Sequence, residues 1–111
     1  MNKSVETSIE VLCSFLYNEY DVEVQREPGL DNAYFPDVEL VEIDASMCLE
    51  EQYHTLLHEA SHIALHPDKD ETRAWQFAEQ FVISLDLHTL TADFFDLKEH
   101  CIQAYSNQES L

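Results

Sequence analysis

The sequence predicts an α+β domain in which a small, mainly antiparallel sheet packs with about four helices. Three observations predict it. Four stretches carry apolar residues at three- and four-residue spacing, the period of a helix with one buried face. Between the first two lie short segments of alternating polarity, separated by Pro28-Gly29 and by Pro36-Asp37. No linker, repeat or low-complexity run divides the 111 residues, so one domain is expected across positions 1–111. A chain of that size buries about two-thirds of its unfolded surface, which supports one modest core.

The first helix is expected from Ser4, a capping residue, to about Tyr20, with Val5, Ile9, Leu12, Phe15 and Leu16 along its buried stripe. Val22-Glu23-Val24-Gln25 then alternates as a short strand does. Ala33–Phe35 and Glu39–Ile43 are two further strands, the second setting Val38, Leu40 (or Val41) and Ile43 against Glu39, Glu42 and Asp44. Gly29, the only glycine, marks the turn between the first two strands. A second helix should begin near Ser46–Glu50 and stop at His66, because Pro67 cannot continue it. After the short connection Asp68-Lys69-Asp70, Ala74, Trp75, Phe77, Ala78, Phe81, Val82 and Leu85 define a third helix starting at Glu71. So short a link makes these two helices antiparallel neighbours. A fourth helix is expected over 91–105, with a frayed tail at 106–111.

Charge narrows the function classes. Twenty-three acidic residues against 5 basic ones give −18, a field that repels phosphate backbones and anionic membranes. Direct nucleic-acid binding and membrane association are therefore not expected; the charge fits a basic partner, DNA mimicry, a salty environment or simply a solvated surface. No apolar run approaches the ~20 residues of a membrane span, and Glu6 and Glu10 interrupt anything like a signal-peptide core. Cys13, Cys48 and Cys101 are odd in number and widely spaced, which argues against a disulfide framework and for a reducing cytoplasm.

The chemistry sits in the second helix. Leu56-Leu57-His58-Glu59-Ala60-Ser61-His62-Ile63 contains His-Glu-x-x-His within an apolar surround. Residues four apart on a helix face the same way, roughly 6 Å apart, so His58 and His62 can offer two imidazoles to one metal ion. Glu59 then stands beside a water held by that ion, as general base. A shuffled chain of this composition would carry the pattern in roughly 4 % of arrangements, so context must do the rest. Catalytic zinc usually takes a third protein ligand. Glu71 is the first choice, since it opens the helix that folds back; Glu79, Asp68 and Asp70 are rivals. Cys48, about ten residues earlier on the motif helix, is a weaker candidate and is expected as a small buried hydrophobe. His54 and His66 extend the histidines to a ladder, but each four-residue step overshoots by about 40°. His54 is expected to face solvent, and His66 to lie at the helix C-terminus, where a cation is favoured.

Thr55-Leu56-Leu57-His58-Glu59-Ala60-Ser61-His62, then Leu65-His66-Pro67 and Glu71-x-x-Ala74-x-x-Phe77-Ala78, resembles the ImmA/IrrE-type metallopeptidases. Gly29-Leu30-x-x-Ala33-Tyr34 and Leu40-Val41-Glu42-Ile43-Asp44 extend the resemblance upstream, to roughly residues 9–85. It implies a zincin-like fold with the metal motif on the central helix. It also implies Zn²⁺ held by His58, His62 and Glu71, with Glu59 as the catalytic base. Members of that family are typically intracellular, are often encoded with phages or mobile elements, and several act on repressor-like DNA-binding proteins. This chain departs from the pattern at Ser61, usually glycine, and at Trp75, usually asparagine. Its third helix ends Phe81-Val82-Ile83-Ser84-Leu85 without the common Leu-Met-Pro, and only eight residues separate His62 from Glu71. A divergent, compact member is implied.

The leading expectation is therefore zinc-dependent hydrolysis of a peptide bond in an intracellular protein, a basic or repressor-like regulator among the candidate substrates. The rival of a different class is an acidic, non-catalytic binding or inhibitor protein, DNA-mimic-like, whose metal site is structural or vestigial. A deformylase-like amidase is disfavoured, because the upstream cysteine-bearing motif of such enzymes is absent. Tyr34, Tyr53, His88 and His100 have the chemistry of an oxyanion stabiliser, and nothing in the sequence selects among them.

Overall fold

Ser4 starts the first helix as its chemistry requires. In the computed structural model, which describes residues 3–66, 70–90, 94–96 and 99, its hydroxyl accepts the Thr7 backbone N–H at 3.2 Å. Helix α1, Val5–Tyr20, follows. Ile9, Leu12 and Leu16 are its fully buried stripe. Asp21 ends it in the left-handed region, φ 57°, where its N–H can return to the carbonyls of Leu16 and Tyr17.

Three strands come next: β1, Glu23–Glu27; β2, Ala33–Phe35; and β3, Leu40–Asp44. They lie in the order β1-β3-β2. β2 pairs antiparallel with β3, but β1 pairs parallel with it, Glu23 opposite Leu40 and Glu27 opposite Asp44. The expected mainly antiparallel sheet is thus mixed, because the two strands joined at Gly29 do not pair. Burial decides the order. β3 carries Val41 and Ile43, both fully buried, and takes the centre, while three-residue β2 is displaced to an edge. The chain reverses into β3 through a 3₁₀ turn at Pro36–Val38 and Glu39 at φ 50°. The ends are tied by Asp44, whose carboxylate accepts the Gly29 N–H at 2.9 Å and the Ser46 N–H at 2.9 Å and hydroxyl at 2.6 Å.

Helix α2 spans Leu49–Leu65 and α3 spans Glu71–Ser84. Asp70 caps α3 by accepting the Arg73 N–H at 3.2 Å. α2 is the central element, touching α1, α3, β2 and β3. It buries Leu56, Leu57, Ala60 and Ile63 in one cluster with the α1 stripe, Val41, Ile43, Trp75 and Ala78. Buried Gln52 is engaged on both sides: it accepts from Arg26 Nε at 3.1 Å and donates to the Met47 carbonyl at 2.8 Å. Phe94 is buried, and Phe94–Asp96 are helical; the rest of the predicted 91–105 helix, apart from Glu99, and the 106–111 tail lie outside the described residues, as does Asp68. No helix among the described residues is long and apolar enough to cross a membrane.

Candidate metal centre

The apolar spacing of α2 fixes which way its histidines point. With Leu56, Leu57, Ala60 and Ile63 turned into the core, His58 and His62 share the face turned towards the start of α3. The short connection delivers Glu71, first residue of α3, to that face. The three side chains converge. His58 Nε2 and His62 Nε2 are 3.2 Å apart, and Glu71 Oε1 lies 3.1 Å from the first and 3.2 Å from the second. These three are the only group of potential ligands so assembled among the described residues.

A triangle of that size fits a tetrahedral metal. Ligands at about 2.0–2.1 Å from zinc stand about 3.3 Å from one another, close to the edges observed. Two imidazole nitrogens and one carboxylate oxygen are also a donor set that catalytic zinc uses. A second observation agrees: Glu71 Oε2 is buried with no hydrogen-bond partner, leaving a second oxygen for the same cation. Three acceptor atoms aimed at one point repel unless something positive joins them, either a metal ion or a proton.

The electrostatics carry the proton's version of that statement. Burial raises the Glu71 pKa, but hydrogen bonds from His58 and His62 outweigh it and hold the carboxyl at about 2. The same hydrogen bond to Glu71 raises His62, against a smaller opposing effect of burial. Glu59 moves the other way from Glu71. Burial raises its carboxyl above the usual range, only partly countered by His58 and His62, and the neighbouring Glu71 charge adds to the rise.

Trp75 completes the setting of His58. Its ring stacks on the imidazole, centroids 4.3 Å apart and planes at 23°, and Phe94 meets the indole edge-on at 5.2 Å. His58 Nδ1 is buried without a hydrogen-bond partner, so stacking fixes this ligand's plane where an acceptor commonly does. The sequence marks Trp75 as part of the apolar pattern of the third helix and as a departure from a family pattern, but not as a partner of His58. The available signal was its spacing: it stands four residues after Glu71, on the same face of α3.

The other named residues separate from the site. Asp70 is spent on capping α3, and Glu79 lies outside the ligand group. Cys48 is exposed at the N-cap of α2, ahead of the turns that pack on the core, and is not the buried hydrophobe expected. His54 is 2 % exposed and not solvent-facing; its ring meets Phe94 edge-on at 5.2 Å, so rotation away from the ligands carries it against that ring. His66 is exposed at the α2 C-cap. Tyr53 gives its hydroxyl hydrogen to the His88 carbonyl at 2.7 Å. His88 Nδ1 lies 3.1 Å from the Lys3 carbonyl. Both side chains are thus engaged with backbone carbonyls. Tyr34 is half-buried on β2, and His100 lies outside the described residues.

No model of a known protein family matches the chain, and the searches of curated proteins and of solved structures gave no match either.

Proposed function

We propose that this chain is a zinc-dependent metallopeptidase with a zincin-like site, hydrolysing a peptide bond in an intracellular protein. The observation that carries the reading is the convergence of His58, His62 and Glu71 within 3.1–3.2 Å, with the Glu59 carboxyl on the next residue. The motif resemblance to ImmA/IrrE-type metallopeptidases supports the same roles. A basic regulator of the repressor type is the substrate class that the resemblance and the −18 charge favour together.

His58, His62 and Glu71 would hold the ion. Zinc so held supplies Lewis acidity, acidifying a water and polarising the scissile carbonyl. Glu59 would serve as the base that accepts a proton from the attacking water and as the acid that returns it to the leaving amine. Its raised pKa brings the carboxyl nearer the neutral range, where a group that must both accept and release a proton works best. Trp75 and Phe94 keep one side of the site apolar, which strengthens the electrostatic terms inside it.

The test separates holding the ion from using it. Glu59→Gln should retain about one zinc per chain and lose hydrolysis by several orders of magnitude, while His58→Ala should lose both. Full activity in Glu59→Gln eliminates the mechanism. The acidic-binder reading keeps one specific support, the −18 charge. Salt-sensitive binding to a basic protein that persists after both His58→Ala and His62→Ala would favour it.

A further inference from the structure

We propose that the cavity beside the N-terminal half of α2 is a substrate pocket for a lysine or arginine side chain. The inference rests on the hydrolytic reading above and names the kind of substrate that site takes. The cavity measures about 450 Å³ and is lined by Asn32, Met47 and Cys48 and by Glu50, Glu51, His54 and Thr55 of α2. That volume lies within the roughly 300–1,000 Å³ of ligand-binding clefts.

Its position on the helix ties it to the metal centre. At about 100° per residue, Glu51, Thr55, His58 and His62 fall within about 60° of one another, and the core residues Leu56, Leu57, Ala60 and Ile63 lie opposite. Thr55, at the near end of the cavity, is about 4.5 Å along the axis from His58. Helical side chains also lean towards the N-terminus, which brings the His58 imidazole back over the Thr55 level. A peptide with its scissile bond at the triad therefore has this cavity next along the same face.

The chemistry of the lining selects the occupant. The α2 N-terminus offers about half a positive charge, and the full negative charge of the Glu51 carboxylate on the cavity wall outweighs it. Glu51 is exposed and has no ion pair among the described residues, so it is the charge left to meet a cation. Met47 supplies an apolar wall for a methylene stem. These acids do not form a second metal site with the other lining residues, since His58, His62 and Glu71 are the only ligand group among the described residues.

The experiment uses the full chain and three peptides, acetyl-Ala-Xaa-Ala-Ala-amide with Xaa as Lys, Leu or Glu. Binding is measured by titration calorimetry to the zinc-loaded Glu59→Gln protein, and hydrolysis is measured with the wild type. The Lys peptide should bind about fivefold tighter than the Leu peptide, with the Glu peptide weakest. Adding Glu51→Gln should remove most of the Lys advantage and leave the Leu peptide unchanged, and Glu51→Lys should reverse the order. Equal affinities for the three peptides, or an advantage that survives Glu51→Gln, overturns the pocket. Charge-selective binding with no hydrolysis by the wild type keeps the pocket and removes the peptidase reading. Hydrolysis without charge preference does the reverse.

Discussion

At the scale of single residues, His58 is held by a stacked ring where a hydrogen bond is usual. The indole of Trp75 fixes the plane of the imidazole, and Phe94 backs the indole. Trp75→Leu removes the flat partner and should weaken zinc binding by about 10–100-fold, the range for losing a residue that orients a ligand. Trp75→Phe keeps a ring and should lose much less. Competition with a chromophoric chelator measures both, with far-ultraviolet circular dichroism as the check on folding. Equal affinities in wild type and Trp75→Leu would remove the positioning role. Trp75 is the only tryptophan, so its fluorescence should change as metal enters. The residues of the motif were legible because helical periodicity alone orients His58 and His62. His54 was misread for a related reason. Rotation away from the ligands says nothing of what covers the vacated face, and here it is Phe94, remote in sequence.

At the scale of elements, α2 is the platform on which the site is built, so its core face sets the precision of its ligand face. Leu57 is fully buried, one residue before His58. Leu57→Ala should cost about 2–5 kcal/mol of folding stability, read from urea unfolding, through lost transfer and the cavity left behind. A loss below about 0.5 kcal/mol would mean that this face is not the packed core described. Helix boundaries were legible to within a few residues, because Ser4 and Pro67 act locally. Strand positions were legible from alternation, but strand order was not. Alternation marks which face of β3 is buried without marking its neighbours, and the parallel β1–β3 pair depends on β2 moving aside.

At the scale of the molecule, a −18 chain and a metal-dependent triad make stability depend on pH in opposite ways with and without metal. Without metal, the lowered Glu71 pKa contributes stability that is present above its reference value of 4.5 and lost as pH falls towards about 2. The raised His62 pKa contributes stability present below 6.5 and lost as pH rises through its higher folded value. The triad therefore stabilises the metal-free chain most between 4.5 and 6.5. Zinc needs both imidazoles neutral, so the extra stability it confers should grow as pH rises past the His62 transition. Thermal unfolding with and without zinc at pH 5 and pH 8 checks this; a zinc-induced shift no larger at pH 8 than at pH 5 contradicts it. The central claim is a statement about which atoms surround the ion, and zinc-edge X-ray absorption of the loaded protein reads those atoms directly. Two imidazole nitrogens and one or more oxygens are expected at about 2.0–2.2 Å, with no heavier neighbour. A sulfur shell at about 2.3 Å, placing the ion on cysteine, or a spectrum without imidazole scattering would contradict it.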